Sequence, residues 1–354
     1  MGMPNIDIQF TATAQTALRR SQAGVVAVIL KDAAASGALG ALTSAKQIPD
    51  TLTAANQAYL QRAFLGYVRA PARVLVYVLD GEAENLTEAL AWLATQQIDY
   101  LAGPPEISGE ECTAVAEWIA QQREDYHAVC KAVLPNTAAD NEAVVNFSAG
   151  GIKVGAETCD AADYCSRIAG MLAGTPLTYS CTYAPLDEVE DVTRMTPDAM
   201  DTAVDAGKFL LFHDGRQVKT GRAVNSLTTL TGKSAAYQKI KIVEAMDLIL
   251  SDLRQLCTDT YVGKFPNSYD NKLLLQTEIR NYLTGLERDG VLKEGSSVAI
   301  DLEAQRDWLQ AHGTDPSGMT DDEILKADTG SEVFLAASVK ILDAIEDIRL
   351  RISI

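Results

Sequence analysis

Histidine is scarce in this sequence. There are three in 354 residues, His127, His213 and His312, each isolated. That scarcity removes the commonest base catalysts and metal ligands. Cysteine is thin too: Cys112, Cys130, Cys159, Cys165, Cys181 and Cys257 form no Cys-x-x-Cys pair, so no zinc site is expected and a reducing compartment suits them. No apolar run approaches the roughly 18 residues that cross a bilayer. The start, MGMPNIDIQF, lacks a basic region followed by an apolar stretch. Cations are outnumbered, 30 Lys and Arg against 48 Asp and Glu, for a net charge of −18. Such a surface repels phosphate backbones, which argues against nucleic acid contact. The expectation is a protein made in the cytoplasm, with no membrane insertion.

What is present describes a folded chain. It is 47% hydrophobic and 22% charged, with a mean hydropathy of −0.01, and is long enough for two or three packed units. VVAVIL (25–30) and RVLVYVLD (73–80) read as buried strands, IDYLAG (98–103) and HAVCKAVL (127–134) as two more. Helical patterns lie between them over 52–65, over 86–97 behind a capping Asn85, and over 110–125. Alternation of this kind predicts a largely parallel sheet, and an α/β domain over 23–148. The glycine-rich NFSAGGIKVG (146–155) marks the expected boundary, followed by a second domain over 149–343.

In that second part Asp160 can cap a helix running to Gly174. KFLLFHDGRQVKTGRAV (208–224) reads as a hairpin turning tightly at Asp214-Gly215. A long helix is expected from Ser234 to Thr260, broken by Phe265-Pro266-Asn267. Another spans Asn271–Asp289, and Ser297–Leu302 is a strand. The residues 333–342 alternate. So do 346–354, where Ile348, Leu350, Ile352 and Ile354 share one face and Arg349, Arg351 and Ser353 the other. At the opposite end Ile6, Ile8 and Phe10 alternate with Asp7 and Gln9.

Few motifs promise chemistry. TGKSAAYQKI (231–240) ends like a phosphate-binding loop, but Leu227 stands where the first glycine belongs. The plainer reading is a polar turn before a helix, with Ser234 as cap. Ser148 in NFSAG lacks the first glycine of a nucleophile elbow. Asp187, Glu188, Glu190 and Asp191 fit no calcium loop. No catalytic residue, cofactor or metal site is expected.

Strands at chain ends leave unpaired N–H and C=O groups. They fold back onto their own domain or add to a sheet in another copy, and pattern alone does not choose. GRAVNSLTTLTG (221–232), KIKIVEAMDLILSDL (239–253) and YVGKFPNSYDNKLLLQTEIRNYL (261–283) resemble the C-terminal region of contractile tail sheath proteins, with Arg222, Asn225, Leu227, Thr228, Asp247, Gly263, Lys264 and Asn267 at matching places. The start, 6–32, and the closing EDIRLRISI also look like sheath termini. The family belongs to myophages and to phage-tail-like bacteriocins such as diffocins and R-type pyocins.

The resemblance implies a mixed α/β fold of two packed domains with β-strand linker arms at 1–22 and 344–354. It implies a structural subunit, not an enzyme, that polymerises as stacked hexameric rings around an inner tube and contracts to drive that tube through a cell envelope. Ile6, Ile8 and Phe10, with Ile348, Leu350, Ile352 and Ile354, would link subunits. Its partners would be further copies of itself, the tube protein, and baseplate and tail terminator proteins. Lys239 and Lys241 are candidates for tube contact, or else a solvated helix face. Assembly would occur in the bacterial host cytoplasm, with release on lysis. The rival readings are an α/β enzyme with a nucleotide site and a non-contractile tail or baseplate protein.

Overall fold

The computed structural model describes residues 24–354. The N-terminal alternation at Ile6, Ile8 and Phe10 lies outside them. The chain divides into two compact units. One runs from the first described residue to Leu248 and takes back Ala344–Ile354; the other is Ile249–Asp343.

The larger unit is built on a seven-stranded sheet. VVAVILK has no polar side chain before its last position, so neither face of that strand can meet water. It forms β1 (Val25–Lys31), flanked by parallel β3 (Arg73–Leu79) and β4 (Tyr100–Ala102). Beyond β4 lie parallel β5 (Lys131–Pro135) and β6 (Val144–Phe147). Beyond β3, antiparallel β2 (Gly37–Leu42) forms the edge. Successive residues of β1 point to opposite faces. Val26, Val28 and Leu30 pack with Tyr59 and Leu60 of α1 (Ala54–Ala63) and Ile168 and Met171 of α4 (Cys165–Ala173). Ala27 and Ile29 pack with Leu90 and Leu93 of α2 (Thr87–Leu93) and Val115 and Ile119 of α3 (Gly109–Glu124). The result is a three-layer α/β body.

Local chemistry starts these helices. Thr53 accepts from the Asn56 amide before α1, and Ser108 and Glu111 form a reciprocal capping box before α3. Asn85 instead accepts from Thr87 N in a turn, and Leu86 holds the cap position. Asp160 accepts from the Ala162 and Asp163 amides, which opens the short 3-10 turn leading into α4.

Expectations about the domain boundary and the hairpin need correction. A boundary at 148/149 would split the sheet, because β9 (Lys208–Phe209) pairs with β6 and α4 packs onto the sheet. The region 146–155 is instead an excursion: β7 (Ile152–Val154) and β8 (Glu157–Cys159) form a small antiparallel pair, and α5 (Pro197–Asp205) leads back to β9. The expected hairpin strand is interrupted at Leu210. Its first residues join the main sheet, and β10 (Leu211–His213) begins a separate pairing with β11 (Val218–Thr220). The turn between them spans Asp214–Gln217, where the Asp214 carboxylate accepts from the Arg216 and Gln217 amides and Gly215 takes φ +97°.

The long helix α6 (Ile240–Leu256) begins in the larger unit and ends in the smaller one. It begins later than Ser234, because a 3-10 turn over Ala235–Gln238 precedes it, and finishes in a π-turn over Cys257–Tyr261. In the smaller unit, α7 (Tyr269–Arg288) starts at the Ser268 cap and buries Leu275, Ile279, Leu283 and Leu286. Then come β12 (Ser297–Ile300), α8 (Leu302–Ala311), α9 (Asp321–Lys326) and β13 (Leu335–Ser338), with β13 antiparallel to β12. After an isolated bridge between Leu292 and Ile341 the chain has no regular structure to its end.

Candidate functional site

The last ten residues are where sequence pattern and structure diverge most. Ile348, Leu350 and Ile352 are 76–81% exposed, and Ile354 is fully exposed. None of 348–354 makes a backbone hydrogen bond to a described residue. The segment keeps its sequence alternation but forms no strand among the described residues.

Its root is held firmly. The Glu346 side chain is only 6% exposed. Its Oε1 accepts from Thr182 Oγ1 at 2.5 Å and Ser180 Oγ at 3.3 Å; its Oε2 accepts from Lys239 Nζ at 3.2 Å and Arg222 Nη1 at 3.4 Å. Next to it, Asp347 accepts from Arg222 Nη2 at 2.7 Å, and that guanidinium holds its carboxyl below the usual range.

The donors are placed by backbone pairing. The Thr182 hydroxyl also accepts from Ala223 N at 3.0 Å. Val224 bridges Lys239, and Ile240 N donates to Ala223 O, so the segments carrying Arg222 and Lys239 lie side by side. Buried Asn225 stitches them further: its Nδ2 donates to Tyr237 O at 2.7 Å and its Oδ1 accepts from Leu227 N.

A second cluster grips the start of α6. Asp247 accepts from both Arg123 terminal nitrogens, at 2.7 and 3.0 Å, and from Lys131 Nζ at 2.8 Å. One turn earlier Glu244 accepts from the Tyr100 hydroxyl and lies 3.6 Å from Lys131, whose ammonium sits over the Tyr100 ring. The i, i+3 spacing puts both carboxylates on one helix face. Burial alone would raise the Asp247 carboxyl, but Lys131 and Arg123 more than offset it and hold it below the ordinary value. Burial raises Glu244, and Lys131 offsets only part of that.

Other residues singled out in the sequence have structural duties. Thr228 and Thr229 donate their amides to Asp140. Asn267 Nδ2 lies within bonding distance of Thr329 Oγ1, Gly330 O and Glu332 O, closing the loop before β13. Gly263 takes φ +73°, and Lys264 donates to Asp259 O. In the Gly-Lys-Ser stretch, Lys233 is paired with Glu142 at 2.7 Å, and Ser234 leads into the 3-10 turn, not into the helix N-terminus that cradles phosphate. Ser148 donates to Asn136 Oδ1. In the acidic run, Glu188 is tied to Arg167 at 2.5 Å. Among the described residues no three of His, Cys, Asp and Glu group as metal ligands, and no helix is long and apolar enough to cross a membrane. Lys239 is engaged by Glu346, and Lys241 is 9% exposed. The Lys239 side chain is half-buried, and it helps hold the root of the tail.

Sequence reasoning found Arg222 and Asp247 but not the groups they bind. Glu346 lies 124 residues from Arg222, and Asp247 the same distance from Arg123. No local pattern joins such pairs.

Comparison with known proteins agrees across the chain. The phage tail sheath protein central domain matches residues 81–226, and the phage tail sheath C-terminal domain matches residues 232–354. The tail sheath protein of Clostridium phage phiCD119 is 38% identical over 359 residues, covering 99% of both chains. The phage-like element PBSX protein XkdK of Bacillus subtilis is 26% identical over 63% of this chain and 51% of its own. Among solved structures, the helical sheath of the anti-feeding prophage in its contracted state superimposes with a TM-score of 0.69 at 17% identity, covering 100% of this chain and 99% of that one. The sheath tail protein of Desulfitobacterium hafniense gives 0.70 at 17% identity over 84% and 94%.

Proposed function

Since this chain belongs to the phage tail sheath protein family, we propose that it is the structural subunit of a contractile sheath, completed only in the company of other copies. The observation that carries this reading is the tail: an irregular segment of alternating sequence with a bare apolar face and no backbone partner among the described residues, rooted at Glu346 and Asp347.

The best receiver is the sheet of β12 and β13. Among the described residues it has two strands only, and Ala336, Ala337 and Ser338 of β13 are exposed and small. A neighbour's tail laid along such an edge gains backbone hydrogen bonds of about 0.5–1.5 kcal/mol each. It also buries four Ile and Leu side chains, worth roughly 1.5–3 kcal/mol apiece when fully covered. Donor and receiver are different patches, so the contact is head-to-tail, and repetition makes rings or helical filaments. The N-terminal segment 1–22 is proposed as the second linker.

Stacked hexameric rings around an inner tube follow from the family reading, with baseplate and tail terminator proteins at the ends. Contraction then requires no nucleotide: an extended packing converts to a lower-energy one when triggered. The particle assembles in the bacterial cytoplasm and leaves on lysis. Electron microscopy of the purified protein should show tubes. Removal of 348–354 should leave a chain with unchanged circular dichroism that forms none; tubes built by the truncated chain would overturn the proposal.

A further inference from the structure

An arm that merely adds a strand needs Ile348–Ile354 and has no use for Glu346. Yet Glu346 is drawn into the body while Ile345 and Ile348 on either side of it stay 88% and 81% exposed. Four donors from three separate segments converge on its carboxylate: Ser180 and Thr182, Arg222, and Lys239. Arg222 spans the root, giving one nitrogen to Glu346 and another to Asp347. A single contact would let the tail swivel; two adjacent contacts set its direction.

We propose that Glu346, seconded by Asp347, is a clasp that fixes the exit point and free length of the exchanged arm. This rests on the reading of the tail as that arm. With the clasp closed, only 348–354 is free, and at 3.3 Å per residue it reaches about 23 Å. A short, directed arm searches a small volume, so its effective concentration at one neighbour is high and the ordering entropy of docking is low. With the clasp open, the free segment grows back toward Leu342, whose amide is bonded to Val291 O. The arm then searches more space and reaches edges other than the intended one. Glu346 and Asp347 are therefore positioning residues for assembly, and Arg222 and Lys239 are their counter-ions.

The test uses the full chain, spin-labelled through Arg349→Cys on the face opposite Ile348 and Leu350, on a Cys257→Ser background, the other five cysteines being buried. Below the concentration that forms tubes, the label should be restricted in the parent protein and mobile in Glu346→Ala. Circular dichroism should match the parent, because Arg222 and Lys239 are part-exposed and water replaces the lost carboxylate. The concentration needed for tubes should rise about tenfold as effective concentration falls. Glu346→Gln keeps an acceptor for Thr182 but loses the charge facing Arg222 and Lys239, so it should lie between. Equal label mobility in the parent and Glu346→Ala, or tubes at the parental concentration despite a freed label, overturns the clasp. Removal of 348–354 separates the two ideas. Tubes without those residues sink the arm itself; tubes lost by that deletion but unaffected by Glu346→Ala sink only the clasp.

Discussion

Asp247 and Arg123 meet through two hydrogen bonds of 2.7 and 3.0 Å, although 124 residues separate them in the chain. This pairing, with Lys131 alongside, fastens the long helix α6 to the sheet. Replacing Asp247 with Asn leaves two cations facing each other with little compensation. Breaking a buried pair in this way costs about 3–5 kcal/mol, which urea unfolding should register as a lower midpoint.

The same carboxylate predicts a pH dependence. Asp247 is held below its unfolded value of about 3.9, so its contribution is complete above that pH and is lost as pH falls through the lower folded value. Glu244, raised by burial, acts in the opposite sense and cannot supply this loss. Stability of the parent protein should therefore fall more steeply below about pH 4 than that of Asp247→Asn. Parallel acid limbs in urea titrations would contradict the assignment.

Gly170 in α4 lies against α1 so closely that an added Cβ would stand 1.9 Å from the Ala63 carbonyl oxygen. Neither helix backbone can yield that far without disturbing the layer on the sheet. Gly170→Ala should destabilise by about 1–3 kcal/mol or more, even though alanine favours helix, and thermal melting would show it.

Along the tail, Leu350 belongs to the apolar face and Arg349 to the opposite one. Leu350→Lys should raise the concentration needed for tubes severalfold, and Arg349→Lys should leave it nearly unchanged, because only the first places charge where a neighbour's sheet would cover it. Sedimentation of assembled material measures both. Equal effects would mean the alternation does not set the register.

Lys233 is tied to Glu142 instead of waiting over an anion site. Addition of Mg-ATP should leave the melting temperature unchanged, and Lys233→Ala should assemble as the parent does. A nucleotide-dependent shift would reopen the enzyme reading.

Much of this was written in the chain. VVAVIL and VLVYVL read as strands buried on both faces, because apart from the Tyr77 hydroxyl their side chains hold nothing that water stabilises. The parallel sheet and its helical layers followed from that alternation. The helical stretches over 52–65 and 110–125, and the alternating face of 348–354, were likewise local facts. The sequence could not say that β9 would close the sheet from beyond residue 200, which moved the unit boundary from 148/149 to 248/249. Nor could it say that Glu346 would find Arg222 and Lys239, or that Lys241 would be buried. Periodicity is set by a residue and its near neighbours, so one chain displays it. Ion pairs and sheet closures are settled by which distant segments the folded backbone brings within 3 or 4 Å, and only the folded chain decides that.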